Sequence, residues 1–103
     1  DAPAIAPMMA AAEAALGRAV RLDGSVTRYR NNLAFAVAGQ GRHDEALRLF
    51  LSTGPAADAH ANLAVALELA GDADGARAQY DEALRLQPGH RAASDGATRL
   101  ATE

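Results

Sequence analysis

Residues 57–90 read ADAHANLAVALELAGDADGARAQYDEALRLQPGH. Ala59, Leu63, Ala66, Leu67 and Ala70 recur at the spacing of one helix face, so they predict a first amphipathic helix. Gly71-Asp72 breaks that pattern, and glycine is the residue that takes positive φ just past a helix end without a steric penalty. Asp72 and Asp74 stand where a second helix would begin, placed to cap it and to sit at its positive end. Ala76, Tyr80, Ala83, Leu84 and Leu86 make the second stripe, and Pro88 stops it. A link this short joins helices only as an antiparallel pair. Ala64 and Ala76, one on each helix, let the two approach closely.

Taken together, Asn62-Leu63-Ala64, Gly71-Asp72, Ala76, Tyr80, Ala83-Leu84 and Pro88 resemble the tetratricopeptide repeat, a helix-turn-helix unit of about 34 residues. The resemblance spans the stretch without a gap. It departs at His60 and Leu67, where the family more often carries large aromatic residues.

The flanking segments fall into the same register. Residues 1–7 hold Pro3 and Pro7 among alanines and read as a frayed lead-in. Met8–Leu22 reads as a helix with Met9, Ala12, Leu16, Ala19 and Val20 on its apolar side. Its Ala12, Leu16, Ala19, Val20 and Leu22 have the offsets of Ala76, Tyr80, Ala83, Leu84 and Leu86, so 8–22 looks like the second helix of a half repeat. Thr27–Ala38 repeats the first-helix pattern, with Asn32-Leu33-Ala34 and Ala36 matching Asn62-Leu63-Ala64 and Ala66. Asp44–Leu51 is its partner, cut short by Thr53-Gly54-Pro55, so 27–56 reads as a shortened repeat before the full one at 57–90. His90–Ala101 predicts a last helix with Ala93, Ala97 and Leu100 as its apolar edge and Arg91, Asp95 and Arg99 outward. Gly96 should weaken it by up to about 1 kcal/mol relative to alanine. This segment, 90–101, resembles the solubilising cap helix that ends such arrays. The expected fold is all-α, a single domain over 1–103; the resemblance implies helix-turn-helix repeats stacked as a short right-handed α-solenoid.

Composition narrows the function classes. Half of the residues are apolar but only 4% are aromatic, so alanine supplies much of the apolar surface, as tightly packed helices require. With no cysteine, thiolate catalysis and cysteine-based metal sites are excluded. All ten basic residues are arginine, which excludes a catalytic-lysine mechanism. The net charge of −3, with both signs interspersed, argues against a nucleic-acid partner, which selects for a basic face. No apolar run approaches the roughly 20 residues of a membrane span, and no signal peptide is present. His43, His60 and His90 lie on separate segments without the i, i+4 spacing of a metal face and read as surface or packing residues. The acidic pairs at 44–45, 72/74 and 81–82 read as helix-terminal and solvated, with Asp81 and Arg85 an i, i+4 pair. No phosphate loop, serine elbow or carboxylate dyad is present. The expectation is therefore a protein that is not an enzyme, with no cofactor and no metal.

What the resemblance implies about function is a protein or peptide partner. In this family the first helix of each repeat lines the concave face, where extended segments bind. Carried over, Asn32 and Asn62 stand where an asparagine amide holds a peptide backbone, since an amide both donates and accepts. Phe35 and Val65 would form an apolar floor, with Arg28, Glu68 and Arg99 at the rim. The family's lysine-based grip on C-terminal carboxylates has no counterpart here, because Asn31 and Ala61 occupy one such position. The run Tyr29–Leu47, YRNNLAFAVAGQGRHDEAL, is similar to repeats of tight-adherence pilus assembly lipoproteins. That likeness implies a scaffold or assembly factor of a bacterial pilus or secretion system. The alternative is a structural domain that forms a homo-oligomer through the exposed face of Met8–Leu22, with Phe50 adding to the seam.

Overall fold

The computed structural model describes residues 2–102, with side-chain surroundings from residue 7 onward. The described residues form six helices and no strand: α1 (Ala2–Leu22), α2 (Thr27–Ala38), α3 (His43–Leu51), α4 (Ala56–Leu69), α5 (Ala73–Leu86) and α6 (Arg91–Ala101). Each packs against the next in sequence, and α4 with α5 forms the most extensive pair.

Alternate helices behave differently. Helix α4 touches both α2 and α6, whereas α3 makes no contact with α1 or α5 among the described residues. One layer, α2–α4–α6, is therefore drawn together while the other, α1–α3–α5, is splayed. The stack bends toward the first layer, which becomes its inner face. The molecule is a slab of 39 × 31 × 17 Å. This is an all-α, tetratricopeptide-like helical repeat solenoid.

The two inner-to-outer turns are copies of one another. Gly41 and Gly71 both have positive φ, +82° and +83°. In each turn the glycine N–H bonds the carbonyl three residues back, and the next N–H reaches five back, Arg42 to Val37 and Asp72 to Leu67. That double bond satisfies carbonyls a helix end leaves orphaned, and it works only with a left-handed residue in the turn. Asp72 then caps α5, its Oδ1 accepting from Gly75 N–H at 2.8 Å, as expected of an aspartate at that position.

Buried alanines set the helix spacing. Ala34, Ala46, Ala64, Ala76, Ala83 and Ala93 are fully enclosed, and the large side chains among them are Tyr80, Phe50 and Val37. Helix α3 has nine residues against fourteen in α5, the shortening that Thr53-Gly54-Pro55 predicts. The Thr53 hydroxyl lies 2.6 Å from Asn31 Oδ1 and 2.8 Å from the Phe50 carbonyl, tying the truncated end back to α2.

Several expectations are corrected. Helix α1 begins at Ala2, so residues 2–7 are helical rather than a lead-in, while Asp1 lies outside the described residues. Pro3 falls in the first turn, where no N–H is needed, and Pro7 costs a single bond in an alanine-rich helix. Ala70 and Leu86 leave their stripes for solvent. Ala70 is the C-cap residue of α4 and Leu86 is the last residue of α5, where the next layer no longer covers them. Arg85 bonds Glu82 rather than Asp81, at i, i+3 and 2.5 Å. His90 is not in α6 but caps it.

Candidate functional site

The inner layer presents α2, α4 and α6 side by side, and all seven candidate residues lie on these helices. Asn32 is exposed and Asn62 half-buried. Each precedes a Leu-Ala pair and stands at the same distance from its positive-φ glycine, so the two amides occupy matching places on adjacent helices. Among the described residues neither amide takes part in a side-chain hydrogen bond. Asn31, by contrast, is engaged by Thr53.

Phe35 is half-buried and meets Phe50 edge-to-face, centroids 4.9 Å apart at 76°. One side of its ring therefore belongs to the α2–α3 packing, and what remains exposed belongs to α2's surface. Val65 is 38% exposed, and Leu69, one turn further, is 75% exposed. Sequence reasoning passed over Leu69, although Asn62, Val65 and Leu69 follow the i, i+3, i+7 spacing of one helix face. Arg28 sits over the Tyr29 ring at 5.8 Å, a cation–π arrangement at the start of α2.

Glu68 and Arg99 are joined to each other. Arg99 Nη2 donates to Glu68 Oε1 at 2.5 Å, with Nε 3.4 Å from Oε2. The Tyr80 hydroxyl donates to the same Oε1 at 2.5 Å. Glu68 on α4 thus gathers α5 and α6 at one carboxylate. The Tyr80 bond, and after it Arg99, holds Glu68 below the usual carboxylate range. Burial, and then the neighbouring carboxylate, pushes the Tyr80 hydroxyl up to about 12. Arg99 pulls its own proton affinity upward from the same pairing.

A second link closes the other end of the α4–α6 junction. His90 Nδ1 accepts from the Ala93 N–H at 3.1 Å, capping α6, so its proton is on Nε2, which donates to Asp58 Oδ1 at 2.7 Å. His60 pairs with Gln79 at 2.7 Å between α4 and α5. Both histidines are packing residues.

Gly96 has a role that its helix propensity conceals. A β-carbon there would lie 2.7 Å from Tyr80 Cε1 and nearer still to Cζ. The ring rests directly on the α6 backbone, so glycine is what lets α6 dock.

Elsewhere, a shallow depression of about 520 Å³ runs along α1, floored by Ala10, Ala14, Gly17 and Leu33 and edged by Arg18 and Arg21. Glu13 beside it receives Arg42 at 2.7 Å and Gln40 at 2.9 Å, which hold its carboxyl below the usual range. No helix among the described residues is long and apolar enough to cross a membrane. No group of histidine and acidic residues with metal-binding geometry occurs among the described residues.

Residues 57–90, which comprise α4, α5 and the turn after it, match the family model of the tetratricopeptide repeat. No curated protein resembles the chain closely enough to count as a relative. The matched unit is a protein–protein interaction repeat, of a family that is generally non-enzymatic. Residues 57–90 of this chain are therefore a tetratricopeptide repeat, set within a stack of six helices.

Proposed function

We propose that the inner face of α2, α4 and α6 is a groove that binds an extended peptide or a helix of a protein partner. Within it the chain is organised as a half repeat (8–22), a shortened repeat (27–56), a full repeat (57–90) and a cap helix (90–101). The observation that carries this reading is the pair Asn32 and Asn62. They are equivalent amides on adjacent inner helices, free of intramolecular hydrogen bonds among the described residues. An amide that neither caps a helix nor joins two elements contributes little to the fold. Paired at repeat spacing, two of them can hold successive peptide units without reading side chains. Val65 and the outer edge of Phe35 supply apolar contact between them; Arg28, Glu68 and Arg99 stand at the rim. The likeness of Tyr29–Leu47 to pilus assembly repeats supports reading this module as a scaffold or assembly factor of a bacterial pilus or secretion system. Replacing Asn32 and Asn62 together by alanine should weaken partner binding about tenfold or more, because each peptide hydrogen bond contributes roughly 1 kcal/mol. The helical circular-dichroism signal should be unchanged. Equal affinity in wild type and double variant would sink the reading.

A second reading, self-association, is favoured by one observation. Among the described residues helix α1 packs only on α2, and its Met8 and Leu22 are 67% and 88% exposed. A seam along Met8–Leu22 would cover them in a homo-oligomer. Sedimentation at high micromolar concentration tests it, and a monomer there eliminates it.

A further inference from the structure

In the full repeat, α4 lies along one side of α5. Ala64 and Ala76 are both fully enclosed, His60 Nδ1 is 2.7 Å from Gln79 Oε1, and Tyr80 donates to Glu68. The matching positions of α1 are Ala12 for Ala76, Ala15 for Gln79, Leu16 for Tyr80 and Ala19 for Ala83. Among the described residues no first helix lies there, since α1 touches α2 alone. Ala12, Leu16 and Ala19 are half-buried and Ala15 is exposed, while Gln79 is half-buried and the other three counterparts are sealed. Val20 and Leu84 are alike, so this difference falls on the side of the helix that α4 covers.

The charge at the edge of that side is reversed between the two helices. On α5 it is Glu82, held below the usual carboxylate range chiefly by Arg85, with a smaller contribution from His60 on α4. On α1 the matching residue is Arg18, exposed and in no ion pair among the described residues. A helix laid on α1 as α4 lies on α5 therefore meets a free cation where His60 meets a carboxylate. An acidic residue suits that place, because Ala15 also removes the partner that Gln79 gives His60. One turn later the helix needs a side chain as small as Ala64, facing Ala12. Apolar residues at the places of Leu63 and Leu67, both buried in α4, complete its stripe. A second copy's α1 fits less well. Its unpaired charges are again Arg18 and Arg21, and its Glu13 is already engaged by Arg42 and Gln40.

We propose that α1 is a docking face for an amphipathic helix of a partner protein, seated on it as α4 is seated on α5, with an acidic residue beside Arg18 and a small residue over Ala12. The exposed Met8 and Leu22 lengthen the apolar stripe at its two ends. This face is separate from the inner groove and does not depend on what the groove binds.

The probe is a labelled peptide of residues 55–70 of this chain carrying His60→Glu, and fluorescence anisotropy on the full chain reads its affinity. At low salt it should bind about fivefold more tightly than the same peptide with His60→Lys, the effect of one partly exposed ion pair. Arg18→Ala in the full chain should remove that preference. Ala15→Glu, at an exposed position, should weaken binding about tenfold or more by placing a charge under the docked helix. The double variant Asn32→Ala, Asn62→Ala should bind the peptide as wild type does. No detectable binding, or binding that survives Ala15→Glu, would overturn the inference. So would equal affinity for the two peptides, and binding lost in the asparagine double variant would move the peptide to the groove. A chain that sediments as a dimer and is not dissociated by the peptide would give this face to a second copy and overturn the inference as well.

Discussion

Helices α1 and α5 carry apolar residues at identical offsets, yet only α5 seals the first three of them; Val20 and Leu84 are both half-buried, and Leu22 and Leu86 are both exposed. Ala76, Tyr80 and Ala83 are sealed, whereas Ala12, Leu16, Ala19 and Val20 are half-buried and Leu22 lies in solvent. The residues differ little in type; the neighbours differ. Helix α5 lies between α4 and α6, while among the described residues α1 touches α2 alone. Register decides which side of a helix turns inward, and the number of flanking helices decides how far water is excluded. Each end also has a glycine pressed by a side chain from the adjoining helix, Gly96 by Tyr80 and Gly39 by Met9. These two contacts let the contrast between the ends be measured.

The largest effect should come from Gly96→Ala. The added methyl collides with a ring that cannot retreat, because its hydroxyl is held by Glu68 and its edges are enclosed. Overpacking of this kind costs about 1–3 kcal/mol, partly offset by the helix propensity of alanine, about 0.5–1 kcal/mol. A net loss of about 2 kcal/mol is expected in urea unfolding, with increased hydrogen exchange in α6. A neutral substitution would show that Tyr80 does not anchor the cap.

Tyr80→Phe should cost less, about 1.5 kcal/mol, for a hydrogen bond to a carboxylate that Arg99 still partly satisfies. Its pH signature is more diagnostic than its size. The folded hydroxyl titrates above its ordinary value of 10.0, so the stability it contributes is complete below about pH 10 and is lost as pH rises toward about 12. Glu68 is shifted down, so its contribution is complete above its ordinary value of 4.5 and is lost as the solution is acidified below that. Wild type should lose stability at both extremes. Tyr80→Phe should flatten the alkaline limb, and Glu68→Gln should flatten part of the acid limb. An alkaline limb of unchanged slope in Tyr80→Phe would mean that another group carries it.

The fold was legible because its signals are local. Gly41 and Gly71 mark turns that demand positive φ, Pro88 ends a helix, and the 3.6-residue stripes assign faces. Asn32 and Asn62 were visible for the same reason, since they stand in register with those markers. What escaped depends on contacts between distant residues. Gly96 looks like a defect in α6 until Tyr80, from another helix, lies against it. Glu68 and Arg99 look like two free rim charges until α4 and α6 pack and join them. His90 looks like the first residue of a helix until its ring accepts the Ala93 N–H. Helix α1 was legible in part: its offsets mark the second helix of a half repeat with an exposed face, and among the described residues it touches α2 alone, which leaves its stripe half-buried.

The smallest effect should come from Gly39→Ala, and it is the sharpest test of the contrast. A β-carbon at Gly39 would lie 2.9 Å from Met9 Sδ and closer to Cγ, a collision as severe on paper as that at Gly96. The colliding atoms, however, are the Cγ and Sδ of an unbranched side chain with three rotatable bonds, which swing away together when χ1 changes, on a helix that is open to solvent on its other side. Met9 can change rotamer, whereas the Tyr80 ring cannot. Gly39 also has helical angles, φ −62° and ψ −15°, which alanine adopts without strain. The loss of Met9 packing and the gain from restricting the unfolded chain, about 0.4–1 kcal/mol, should nearly cancel, leaving a change within about 0.5 kcal/mol. A loss matching that of Gly96→Ala would mean that α1 is held as rigidly as α6. The half-buried face of α1 would then be as firmly fixed as the sealed face of α5, and flanking helices would not explain the difference between the ends.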